Sequence, residues 1–167
     1  MENGKDRNMT KEFSHMHADG TVTMVDVGRK EESVRVAVAG AVVELNAATL
    51  DLLKRAALPK GDALTTAKLA GIMAAKRTSE LIPLCHPLML DYVDIRFEIL
   101  DEPPGIRLEA EVRCTGRTGV EMEALVAAQA AAAAIYDMCK AAQKDICITN
   151  VRLLRKSGGK SGEFPAQ

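Results

Sequence analysis

The chain has 167 residues, 47% of them hydrophobic and 27% charged, and a formal net charge of −1. That length and makeup fit one globular domain with a substantial core. The near-neutral charge excludes a global positive field for holding nucleic acid or an anionic membrane surface, so any anion site must be local.

Residues 1–14 mix charge with Asn and Gly without periodicity and are expected to form a mobile tail, leaving 15–163 as one domain. The opening residues lack an apolar signal region and no later run reaches the roughly 18 apolar residues of a membrane span, so a cytoplasmic protein is expected. In 33–45, Val34, Val36 and Val38 alternate with Arg35 and small residues, the period of a half-buried strand, with Gly40 a candidate bulge. A helix is predicted over 46–58, capped by Asn46 and stopped by Pro59. Lys60 and Gly61 form a tight junction to a second helix, capped by Asp62 and running to 78.

The clearest pattern is a hairpin: Val93, Ile95, Phe97 and Ile99, then the turn residues DEPPG, then Ile106, Leu108, Ala110, Val112 and Cys114. From 120 to 144 there is neither Gly nor Pro, which predicts a long helix. Its alanine-rich surface is a candidate subunit contact. An apolar segment at 146–154 supplies a last edge strand. The order βααββαβ predicts an α+β domain, ferredoxin-like, with a mostly antiparallel sheet and helices packed on one face.

Cys85, Cys114, Cys139 and Cys147 form no C-x-x-C pattern and are expected to be buried, reduced thiols. Glu121, Glu123, Asp137 and Lys140 lie on the long helix. Glu123 and Asp137 share a face to within about 40°, but about 21 Å separates them along the axis, too far to grip one small group within one subunit. Asp137 and Lys140, at i and i+3, can pair either as an acid/base couple or as an ordinary helical ion pair. Lys60 precedes a helix N-terminus, a ready anion site. Lys76 and Arg77 end the same helix, where they serve equally as dipole partners. KSGGKSG, 156–162, combines lysines with glycines whose N–H groups suit phosphate, or is a solvated tail. His86 sits between Pro83 and Pro87, which restrain the backbone and thus hold the imidazole as phosphate binding or proton transfer requires.

Taken together, MVDVGRK, KGDALTTAKLAGIMAAKRTSELIPLCHPL, GRTGVEMEALVAAQAAAAAIYDMCKAAQKD and VRLLRKSGGKSG resemble the MoaC family, the cyclic pyranopterin monophosphate synthases of molybdenum cofactor biosynthesis. The resemblance implies a ferredoxin-like subunit in a homo-hexamer, a trimer of dimers with active sites at subunit interfaces. It implies conversion of 3′,8-cyclo-7,8-dihydroguanosine triphosphate to cyclic pyranopterin monophosphate and diphosphate. By the same likeness Asp137 and Lys140 are the general acid/base pair and Lys60 a further catalytic lysine. Leu84, Cys85, His86, Glu121, Met122 and Glu123 line the substrate pocket, and Arg35, Lys76 and Lys156 bind the triphosphate. No dedicated metal or cofactor ligands are implied, although magnesium could accompany the triphosphate.

Two other classes remain open on the residues alone. A non-catalytic oligomeric nucleotide-binding module needs the anion site but not Asp137 and Lys140. A thiol or metal protein built on Cys85 and His86 predicts zinc in the purified material.

Overall fold

Among the described residues, four strands and four helices follow one another. They are β1 (Ser33–Glu44), α1 (Ala47–Lys54), α2 (Ala63–Ala75), α3 (Thr78–Leu81), β2 (Tyr92–Asp101), β3 (Pro104–Gly116), α4 (Glu121–Cys139) and β4 (Cys147–Ser157). The computed structural model describes residues 21–160 and 162–164; the expected tail at 1–14 lies outside them. The sheet order is β2-β3-β1-β4 and every neighbouring pair is antiparallel, an α+β arrangement compatible with the ferredoxin-like plan.

The hairpin follows its alternation. Ile95, Ile106, Leu108, Ala110, Val112 and Cys114 are all buried, while Ile99, near its turn, is partly exposed. β1 follows expectation at Val38, which is buried, but departs from it at Val34, which is 64% exposed, and Ala37, Ala39, Ala41 and Val43 are buried on the opposite face. The cause is α4, which packs across β1, β3 and β4 with its own fully buried Ala124, Ala127, Ala128 and Ala131. Small residues on both surfaces let backbones come close, so the alanines rather than Val34 and Val36 meet the helix. Arg35, in phase with those alanines, is carried to the end of the same face and donates from Nε to the carbonyl of Gly116 at 3.3 Å.

The bulge falls beside Gly40, but the extra residues are on β4, with register shifts at Val38/Ala39 and Gly40/Val42. Gly40 makes room for them: a Cβ there would lie 2.9 Å from Leu154.

α1 stops at Lys54, short of Pro59. Ala56 adopts φ +52°, and the amides of Ala57 and Ala56 turn back to the carbonyls of Leu52 and Leu53, a Schellman closure built on alanine instead of glycine. α2 ends at Ala75, and Thr78, 1% exposed, spends its hydroxyl on the Ala75 carbonyl at the start of α3. α4 ends at Cys139 rather than 144 because Gln143 folds inward, its Oε1 accepting from the Asn46 amide at 2.8 Å. α2 and α4 run antiparallel: Lys60, before α2, meets Asp137 near the end of α4, whereas a Cβ on Gly71 would touch the Ala127 carbonyl at 3.0 Å.

Candidate active site

Chemistry-bearing side chains gather at both ends of α4. At its C-terminal end, Asp137 accepts from Lys60 Nζ at 2.5 Å through one carboxylate oxygen and from Lys140 Nζ at 2.6 Å through the other. Gly61, at φ +89°, supplies the turn that presents Lys60, and the side chain of Asp62 caps α2 by accepting from the Thr65 amide at 3.0 Å. Lys140 first and Lys60 second hold the Asp137 carboxyl down at about 2, and Asp137 in return raises Lys140. Both lysines and the aspartate are exposed. The cluster is thus a fixed anion between two cations, open to whatever approaches.

At the N-terminal end two cavities adjoin. The larger, about 770 Å³, is lined by six basic side chains, Arg29, Lys30, Arg35, Arg117, Lys156 and Lys160, against three carboxylates, Glu31, Glu32 and Glu121. Gly158 and Gly159, at φ +93° and +80°, close its wall. A Cβ on either would strike the Val34 carbonyl or the Arg35 guanidinium, so only glycine fits this turn. The smaller cavity, about 360 Å³, is lined by Val25, Val27, Leu84, Cys85, His86, Leu88, Met122 and Glu123 among others. Lys30, Thr118, Gly119 and Glu121 line both, so the two spaces share a wall that includes Glu121.

Within the smaller cavity His86 Nε2 lies 2.9 Å from the Val25 carbonyl. A carbonyl only accepts, so Nε2 is the donor in this contact. The segment holding Val25 is shaped by a turn in which the Gly28 amide donates to Asp26 Oδ1 at 2.8 Å. Glu123 is 4% exposed, and its carboxyl is raised first by burial and then by the charge of Glu121. Of the thiols expected to be buried, Cys114 and Cys139 are, whereas Cys85 is half-buried at the cavity wall and Cys147 is exposed on β4. Partial burial, with Glu123 nearby, raises the Cys85 thiol, the opposite of what a reactive thiolate needs. Among the described residues, no group of three or more His, Cys, Asp and Glu side chains is disposed to hold a metal. No helix among them is long and apolar enough to cross a membrane.

The family model described as MoaC family matches residues 24–159. The chain belongs to the MoaC family. It is 71% identical over 155 residues to a protein of Nitratidesulfovibrio vulgaris named cyclic pyranopterin monophosphate synthase, covering 93% of this chain and 96% of that one. Proteins of the same name from Desulfovibrio desulfuricans and Oleidesulfovibrio alaskensis are 67% and 65% identical, each over 95% of this chain and 97% and 99% of their own length.

Within this MoaC chain the predicted residues fall into three places. Lys60, Asp137 and Lys140 form the cluster just described, a pairing that joins positions 77 apart. Cys85, His86, Met122 and Glu123, with Leu84, line the smaller cavity, Arg35 and Lys156 the larger, and Glu121 both. His86 therefore lines the smaller cavity with Glu123 and not the larger one. Lys76 joins neither group: it is exposed at the C-cap of α2 and lines neither cavity. The expected distance persists, since 14 helical positions still separate Glu123 from Asp137, about 21 Å along the axis. Sequence reasoning assigned no role to Val25, Val27, Lys30, Arg117, Thr118 and Gly119, which line the cavities. Their only signal was membership in the runs MVDVGRK and GRTG.

Proposed function

We propose that this chain is a cyclic pyranopterin monophosphate synthase, a lyase of molybdenum cofactor biosynthesis acting on 3′,8-cyclo-7,8-dihydroguanosine triphosphate. Near-full-length relatives of that name support the activity. The observation that carries the site assignment is the basic cavity sharing a wall with a smaller one lined by an imidazole and a buried carboxyl. The triphosphate would occupy the basic space, where Arg35, Lys156 and their neighbours neutralise it, and the purine-derived rings would enter the smaller space beside His86, Met122 and Glu123. A sugar hydroxyl then attacks the α-phosphorus, the new O–P bond closes the cyclic phosphate, and the bond to the β-phosphate breaks to release diphosphate. Lys60, Asp137 and Lys140 would move protons during ring opening and closure.

Because about 21 Å of helix separates the two groups, they meet at one substrate only if different subunits supply them. An interface site in a homo-hexamer, a trimer of dimers, answers that distance. Any magnesium would enter on the phosphate oxygens, and a cytoplasmic setting agrees with the four free cysteines.

Single-turnover conversion of the purified substrate, followed by pterin fluorescence after oxidation, tests the activity. Pterin from the wild type establishes it; nucleotide binding without pterin leaves only a binding module. Mixing Glu123→Gln with Lys140→Ala, each inactive alone, tests the shared site. Random reassembly should restore about a quarter of the sites, and no recovery would mean that one subunit holds both groups.

A further inference from the structure

One carboxylate stands inside the basic cavity in a position that phosphate chemistry makes conspicuous. Glu121 Oε1 accepts from Lys156 Nζ at 2.8 Å, with the two side chains 30% and 26% exposed. Glu121 lines both cavities, so its carboxylate sits at their junction. Its other oxygen leans over Gly119 so closely that a Cβ there would lie 1.9 Å away, and glycine is what lets the carboxylate lie across the opening. Lys156 is itself fixed: it is paired with Ala37 in the sheet, and its amide and carbonyl exchange hydrogen bonds with Phe164. Glu121 is held in the first turn of α4, and a phosphate oxygen arriving at Lys156 competes with it for the same ammonium protons.

We propose that Glu121 is a resident anion at a phosphate subsite: it holds Lys156 in the empty enzyme and yields it to a phosphate group, a displacement that weakens every phosphate ligand by the same factor and leaves single phosphates scarcely bound while polyphosphates still bind. This rests on reading the basic cavity as the triphosphate site. A monophosphate gains one contact and must displace one. A triphosphate meets Arg35, Lys30 and the rest of the basic wall as well, so exchange at Lys156 is a small part of its gain. Once displaced, Glu121 is left at the mouth of the smaller cavity with Glu123, whose carboxyl already feels its charge.

Calorimetric titration of inorganic triphosphate, diphosphate and phosphate into the full chain tests this, using wild type, Glu121→Gln, Lys156→Ala and the double variant. Glu121→Gln should tighten triphosphate and phosphate by a similar factor of about tenfold, because each displaces the same carboxylate from Lys156. In the Lys156→Ala background the gain should vanish, because no ammonium remains to be contested. A gain of equal size in both backgrounds overturns the exchange and leaves a diffuse field effect, and binding with no gain in Glu121→Gln overturns it outright. Failure of wild type and Glu121→Gln alike to bind triphosphate overturns the cavity assignment as well, so the two failures are distinguishable.

Discussion

The two ends of α4 carry carboxylates of the same chemistry under opposite conditions. Asp137 is exposed and clasped by two ammonium groups, which keep it ionised down to about pH 2. Glu123 is buried with Glu121 for a neighbour, and its proton is held above the ordinary carboxyl range. One environment is made by cations and the other by loss of water, and the same helix supplies both. The difference teaches that proton affinity here is set by what packs around each end of the helix. It also separates an end suited to staying charged from one able to hold a proton.

The largest effect should come from Lys140→Ala. Removing a proton-transfer group beside Asp137 should slow single turnover by about 10²–10⁴-fold while leaving inorganic triphosphate binding intact. Loss of both together would merge the two ends into one binding unit and break the contrast. Next, Ala131→Leu overfills a fully buried point between the ends and should cost about 1–3 kcal/mol in denaturant unfolding.

Acid titration sharpens the contrast further. Glu123, with its folded pKa raised, contributes stability below the unfolded value of 4.5 that is lost as pH rises through the folded value. Glu123→Gln should therefore melt higher than wild type at pH 7, with the advantage shrinking as pH falls toward 4.5. Asp137 has the reverse sign: its contribution is present above 3.8 and lost as pH falls toward about 2, so Asp137→Asn should matter less to melting as acid is added. Equal pH dependence in the two variants would contradict the opposite environments. The smallest effect should be that of Lys76→Ala, whose exposed side chain belongs to neither end; substrate affinity should change less than about twofold. A large loss in fluorescence-monitored turnover would instead bring Lys76 to the site through another subunit.

Much of the framework was legible because local patterns dictated it. The hairpin announced itself through alternation around DEPPG, and α4 through a run free of helix breakers. Where long-range packing decided, the sequence was silent or misleading. The valines of β1 signalled a buried face, yet the face that α4 covers belongs to alanines, because close approach of two backbones rewards small side chains there. The early end of α1 depended on a left-handed alanine that no propensity favours. At the site, the motif residues were found by resemblance, but their grouping was not. Spacing could pair Asp137 with Lys140, whereas Lys60 arrives from a position 77 residues away, and the cavity wall at Lys30 and Arg117 comes from segments without periodicity.

The bond between His86 and Val25 has a dynamic side. Val25 lies in a segment with no regular ladder or helix to hold it, fixed locally by the Asp26–Gly28 turn and the amide of Lys30 bonding to Val27. Segments of that kind open at far lower free energy than the sheet behind them. Each opening takes the acceptor from Nε2 and leaves the ring free to exchange tautomers, so amide hydrogen exchange over 22–31 and the tautomer of a histidine 61 positions away from Val25 report a single event.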